Sequence, residues 1–107
     1  VTPQIITEYF EHQTDKNTEK LVACFTTDAS VTDEGKTMIG HPAIRAWKEG
    51  VTAAFVYTVS VTGTEHLTDE NYAVTAELEG NFPGSPVQLR YRFTLRDNLI
   101  AALVIAP

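Results

Sequence analysis

The sequence contains one cysteine, one methionine and one tryptophan, and its eight basic residues are outnumbered by fourteen acidic ones. A lone Cys24 excludes an intrachain disulfide and a thiolate metal cage, and makes a reducing, cytoplasmic setting the default expectation. No Gly-rich phosphate loop and no nucleophile elbow occurs. His12, His41 and His66 are scattered rather than set at metal-ligand spacing, so neither a metal nor another cofactor is expected. The formal net charge of −6 argues against nucleic acid and anionic membrane as partners, because both are bound through basic patches. No apolar run approaches the roughly 20 residues a spanning helix requires. No signal-peptide pattern opens the sequence at Val1, and a leader trimmed ahead of it would leave no trace.

What is present reads as one domain over residues 1–107, with an apolar share of 43% that suits a globular core and a modest pocket. Thr2 and Pro3 suit the cap and first turn of a helix whose inner stripe is Ile5, Ile6, Tyr9 and Phe10. After a polar break from Thr14, Asn17 can cap a second helix, with Glu19 in its first turn and Leu21, Cys24 and Phe25 on its inner face. Nothing basic stands near Cys24 in sequence to lower its pKa, so it reads as core. A short β-prone run covers Ala29 to Thr32 and ends at Gly35. Gly40-His41-Pro42 then opens a third helix with Ile44 and Trp47 inward and Gly50 as its stop.

From Ala53 the period changes to two. Phe55, Tyr57, Val59 and Val61 form one face of a long strand, and Tyr72, Val74, Ala76 and Leu78 one face of the next. Thr68 to Asn71 and Pro83 to Pro86 are the turns. Leu89, Tyr91, Phe93 and Leu95 alternate with Arg90, Arg92, Thr94 and Arg96. Leu99 to Ala106 is apolar on both faces, which predicts a central strand or one covered on both sides. Helices followed by consecutive antiparallel strands give an α+β domain whose sheet curves around the helices.

The residue with chemical potential is Asp33. Strand parity sets it on the face of Val31, and a carboxylate among apolar groups is a candidate general base; at a strand end in water it is an ordinary turn residue. His41 reads as a helix-cap residue and His12 as a solvated one.

Asp28-Ala29-Ser30-Val31-Thr32-Asp33-Glu34-Gly35, Gly40-His41-x-Ala43-Ile44-Arg45-x-Trp47 and Gly80-Asn81-Phe82-Pro83-Gly84-Ser85-Pro86 together resemble the SnoaL-like proteins of the nuclear transport factor 2-like superfamily. The resemblance implies a cone: three N-terminal helices packed on a strongly curved, mostly antiparallel sheet around a deep pocket. It also implies a homodimer through the outer sheet face, which here would carry Glu77, Glu79, Arg90 and Arg92, with opposite charges available to pair. Activities on this fold range from isomerases and polyketide cyclases to epoxide hydrolases and non-catalytic binding modules, so the fold alone does not select one.

Laid on the ketosteroid isomerase pattern, Tyr9 takes the place of the oxyanion-hole tyrosine and Asp33 that of the base. Leu89 stands where the second acid of the oxyanion hole should be. One donor in place of two costs about 3 kcal/mol of transition-state stabilisation. The implied reading is a pocket for a small apolar or aromatic molecule, with cofactor-independent acid–base chemistry of isomerase or cyclase type on a carbonyl compound. Asp33 and Tyr9 are its candidate catalytic residues. Phe25, Trp47, Phe55, Tyr57, Leu89, Tyr91 and Phe93 are its candidate ligand-binding residues. The alternative is a non-catalytic ligand-binding or dimerisation module.

Overall fold

Helix α1 (Gln4–His12) begins the chain, and its amphipathic stripe turns Ile6 and Tyr9 fully inward. These elements come from a computed structural model, which describes residues 2–14 and 18–107; Asn17 lies outside them. Pro3, not Thr2, occupies the cap. Its extended backbone leaves its carbonyl free to accept from the Ile6 and Thr7 N–H groups, which anchors the first turn.

The second helix is a single turn, α2 (Glu19–Val22), and Phe25 does not belong to it. Phe25 instead opens strand β1 (Phe25–Asp33), because its neighbour's carbonyl at Cys24 accepts the Ile100 N–H from the far end of the chain. That long-range pairing overrides the local helical pattern. β1 is thus four residues longer at its start than Ala29, with an irregular register between Phe25 and Ser30. Glu34 and Gly35 take positive φ values of 53° and 77°, which folds the chain back into a strand the sequence did not suggest, β2 (Lys36–Ile39).

Helix α3 (His41–Ala54) therefore follows a hairpin of two strands where the sequence suggested one, and β1 and β2 separate it from α1 and the single-turn α2. Gly50 does not stop α3. A glycine inside a helix costs about 1 kcal/mol, and the hydrogen bonding continues past it until Phe55 N–H donates to Val51 O. Phe55 consequently ends the helix rather than opening a strand.

The remaining strands are β3 (Tyr57–Thr68), β4 (Asn71–Gly80), β5 (Val87–Arg96) and β6 (Leu99–Ala106). They complete a curved, open six-stranded sheet in the order β2-β1-β6-β5-β4-β3. β6 is central, parallel to β1 and antiparallel to β5; the other pairings are antiparallel. Its outer face is left open by the described residues at Val104, which is 42% exposed. The inner face carries Val31, Val74, Ala76, Tyr91, Phe93 and Leu103, all buried, with α1 seated near β6 and α3 against β1 and β2.

Gly80 has a specific steric role. A Cβ there would collide with the Val56 carbonyl and the Tyr57 backbone, so the glycine lets β4 close over the start of β3. Asn81 ties the junction by accepting the Val56 N–H at 2.9 Å through its side chain. On the outer face Arg90 reaches Glu65 of β3 at 3.5 Å and not Glu77 or Glu79, because the register sets Glu77 opposite Gln88 and Ser60. Both partners are exposed, so this pair contributes little stability.

Candidate functional site

Between α3 and the inner sheet face lies a cavity of about 640 Å³. Each wall comes from a different element: Asp33 and Glu34 from the end of β1, Trp47, Lys48 and Val51 from α3, Tyr57 from the start of β3, and Leu78, Val87, Leu89, Tyr91 and Ile105 from β4 to β6. Phe55, Phe82 and the turn after it complete the rim, and Gln13 follows from α1. A second hollow of about 340 Å³ lies between α1 and the β3–β4 edge, with Glu11 as its one ionisable lining residue.

Asp33 is half-buried, and its Oδ2 accepts the Trp47 indole N–H at 3.1 Å. The indole supplies one donor, which fixes the carboxylate's direction and leaves most of its lone pairs available. Lys48 is only 1% exposed, yet it is on the cavity wall. Its Nζ donates to the Tyr57 hydroxyl at 3.0 Å and lies 5.7 Å from the Trp47 ring centre and 5.6 Å from that of Tyr57. Burial pushes the Lys48 ammonium down to a pKa of about 8, against the opposing pull of the Asp33 charge.

Gln13 Nε2 donates to Tyr91 Oη at 2.9 Å and to Tyr57 Oη at 3.4 Å. Both tyrosine oxygens therefore act as acceptors from the groups behind them, and each keeps its own proton free to donate. Burial raises the pKa of both phenols, although the Gln13 hydrogen bond opposes it, so both stay protonated at neutral pH. Two buried atoms in this region have no partner among the described residues: the Gln13 Oε1 and the Tyr9 hydroxyl.

Of the nine residues expected at the site, six line the cavity: Asp33, Trp47, Phe55, Tyr57, Leu89 and Tyr91. Tyr9, Phe25 and Phe93 lie in the closed core beside it, at 0%, 1% and 1% exposure. Tyr9 packs edge-on against Phe25 at 6.0 Å and Phe93 at 5.5 Å. Burial drives its phenol pKa far above the ordinary value, with the hydroxyls of Tyr91 and Tyr57 and the Asp33 carboxylate near enough to add to the effect.

Sequence reasoning missed Lys48 and Gln13. Both carried a signal, since Lys48 is four residues beyond Ile44 on the inner stripe of α3, and Gln13 is four beyond Tyr9. His41 Nε2 donates to the Phe25 carbonyl at 2.9 Å, and His66 stacks on Tyr72 at 4.4 Å. Among the described residues no three His, Cys, Asp or Glu side chains gather as metal ligands. Among them too, no helix is long and apolar enough to cross a membrane.

The fold has relatives. The family model described as the SnoaL-like domain matches residues 6–103. The chain belongs to the SnoaL-like domain family. Among solved structures, a protein of Sinorhizobium meliloti provisionally named a polyketide cyclase is 35% identical to this SnoaL-like chain, with a TM-score of 0.91 over 98% of this chain and 95% of that one. A protein of Catenulispora acidiphila with a ketosteroid isomerase-like fold, crystallised with trimethylamine, is 23% identical (TM-score 0.87; 100% of this chain, 87% of that one). The epoxide hydrolase/cyclase-like enzyme SalBIII, of pyran ring formation in salinomycin, is 21% identical (TM-score 0.78; 95% and 86%). The last two likenesses speak to the fold alone. No curated protein sequence matches the chain.

Proposed function

We propose that the cavity takes a small apolar or aromatic carbonyl compound and that Asp33 moves a proton on the carbon beside the carbonyl, in cofactor-independent chemistry of isomerase or cyclase type. The observation that carries this reading is the Asp33 carboxylate itself. It is half-buried, aimed by the Trp47 indole, and shares an otherwise largely apolar cavity with hydroxyl donors on the opposite elements. Tyr57 and Tyr91 present their free protons at the wall. Tyr9 stands behind that wall, fully buried and without a hydroxyl partner among the described residues, and serves as a donor only to a ligand oxygen that reaches past Tyr91. The Sinorhizobium relative's provisional name supports a cyclase-type reaction over the other activities of the fold.

Solvent exchange tests it. A panel of small aryl ketones in deuterium oxide is expected to gain deuterium at the α-carbon in the presence of the protein. Asp33→Asn should slow that exchange by at least about a hundredfold while leaving the fold intact. Equal exchange by both proteins would end the proposal.

A second reading, a binding module without turnover, is favoured by Leu89. It lines the cavity where a second acid would complete an oxyanion hole. Under that reading ketones quench the fluorescence of Trp47, the sole tryptophan, and no deuterium enters. Either reading accommodates a homodimer through the outer sheet face, where Val104 is exposed beside Arg92. Sedimentation at micromolar concentration distinguishes dimer from monomer.

A further inference from the structure

We infer that Lys48 is a carbonyl-capturing nucleophile, whose ε-amine condenses with an aldehyde or ketone in the cavity to form an imine. The inference rests on the carbonyl-ligand reading above and supplies the electron sink that reading lacks at Leu89.

Three observations converge on the amine. First, Lys48 is 1% exposed, and among the described residues no carboxylate lies within ion-pairing distance of it. Lysine is almost never buried unpaired, because a desolvated ammonium is costly and an apolar side chain of the same length would pack there without that cost. Second, the buried amine is not sealed into the core but is on the wall of a 640 Å³ cavity large enough for a bicyclic aromatic compound. Third, its single hydrogen-bond partner among the described residues is the Tyr57 hydroxyl at 3.0 Å, a group that both accepts and donates protons, and Tyr57 lines the same cavity. Desolvation also leaves far more neutral, nucleophilic amine at neutral pH than an exposed lysine holds.

The step balances without any further reagent. The amine nitrogen attacks the carbonyl carbon, the C=O π pair moves to oxygen, and a proton passes from nitrogen to that oxygen to give a carbinolamine. The C–O bond then breaks, Tyr57 relays the proton that departs with the oxygen as water, and an iminium remains: R–NH3⁺ plus O=CR2 gives R–NH⁺=CR2 plus H2O. The iminium draws electrons more strongly than the parent carbonyl. Asp33 therefore removes an α-proton to leave a neutral enamine, with no oxyanion to stabilise. Reprotonation and hydrolysis return the carbonyl product and free Lys48.

The test uses naphthalene-2-carbaldehyde with sodium cyanoborohydride, which reduces an imine to a stable secondary amine that peptide mass mapping locates. This aldehyde has no α-hydrogen, so Asp33 chemistry plays no part in the result. At pH 7.5 the intact protein is expected to carry the adduct at Lys48, formed at least about tenfold faster than at the exposed Lys20 and Lys36. Lys48→Met should lose that adduct and leave the slow labelling of Lys20 and Lys36 unchanged. Mapping on the unaltered chain answers the question even where the variant folds poorly. Labelling of Lys48 no faster than of Lys20 and Lys36, with Trp47 fluorescence quenched by the aldehyde, would overturn the inference and leave the acid–base reading standing. Absence of both quenching and the Lys48 adduct would overturn the inference together with the pocket reading.

Discussion

Tyr9 on α1 and Tyr57 at the start of β3 are both enclosed between helices and sheet, and their surroundings differ in kind. Around Tyr9 the rings of Phe10, Phe25, Tyr91 and Phe93 close in edge-to-face contacts between 5.2 and 6.2 Å, and the hydroxyl is left without a partner. Around Tyr57 the hydroxyl receives two donors, from Lys48 and Gln13, and the ring borders open volume. The first region is packed as a protein interior should be, at the cost of a polar group. The second bonds its donors to the tyrosine oxygens, with the Gln13 Oε1 as the exception, and does so at the cost of packing. Aromatic content therefore does not mark the pocket in this fold. Where α1 seats on the sheet, aromatic rings become core, and beneath α3 they become wall.

The contrast is broken most forcefully by truncating one ring from each region. Phe93→Ala removes a fully buried ring from the closed cluster and is expected to cost about 3–5 kcal/mol in urea unfolding. Phe55→Ala removes a half-buried ring from the cavity rim and is expected to cost less than about 2 kcal/mol, while weakening the quenching of Trp47 by naphthalene-2-carbaldehyde several-fold. Similar stability losses, or a ligand response unmoved by Phe55→Ala, would dissolve the distinction between core and wall.

The pH dependence of stability sharpens the comparison at two buried groups, Lys48 on the cavity and Cys24 in the core. The folded Lys48 titrates at about 8 and an unfolded lysine near 10.4, so between those values the unfolded chain holds more protons and stability rises with pH. Burial pushes the Cys24 thiol up to about 11, while an unfolded cysteine titrates near 8.5. Between those values the unfolded chain holds fewer protons and stability falls as pH rises. The two slopes oppose each other over pH 8.5–10, each at most about 1.4 kcal/mol per pH unit, and nearly cancel. Tyr57 and Tyr91, with phenols raised by burial, add a loss only above about pH 10. Urea midpoints are thus expected to be nearly flat in the natural chain. They should rise from pH 8 to 10 in Cys24→Ala and fall from 8.5 to 10 in Lys48→Met. A Lys48→Met profile that superimposes on the natural one would show that the ammonium is hydrated in solution.

Much of this contrast was hidden in the sequence for a geometric reason. Strand parity correctly turns Leu89, Tyr91 and Phe93 to one face, but parity has no component along the strand, and depth along β5 is what separates the wall at Leu89 and Tyr91 from the core at Phe93. Helix boundaries moved where distant chain intervened: Ile100 drew Phe25 into β1, and the continued ladder carried α3 through Gly50. Asp33 was legible because alternation from Val31 gave its face and Gly35 its place at a turn. Lys48 escaped notice because a charged residue on an amphipathic helix is ordinarily solvated, and only the continuation of the Ile44–Trp47 stripe by one residue sets it inside.

The smallest effect expected is the most discriminating for Tyr9. An unpartnered buried hydroxyl contributes no hydrogen bond to offset its desolvation, so Tyr9→Phe should leave the unfolding free energy within about 1 kcal/mol of the natural chain, on the stabilised side. A structural tyrosine would show that result and nothing else. A tyrosine whose proton meets a ligand oxygen adds a second signature, a slower α-deuterium exchange of the aryl ketones with stability unharmed. Tyr57→Phe supplies the reference, because it strips the buried Lys48 ammonium of its acceptor and takes from Gln13 the longer of its two bonds, leaving the one to Tyr91. Its stability loss should therefore exceed that of Tyr9→Phe by about 1–3 kcal/mol. If Tyr9→Phe slows exchange as much as Tyr57→Phe does while costing no stability, the closed core takes part in the chemistry, and the boundary between the two regions lies behind Tyr9 and not in front of it.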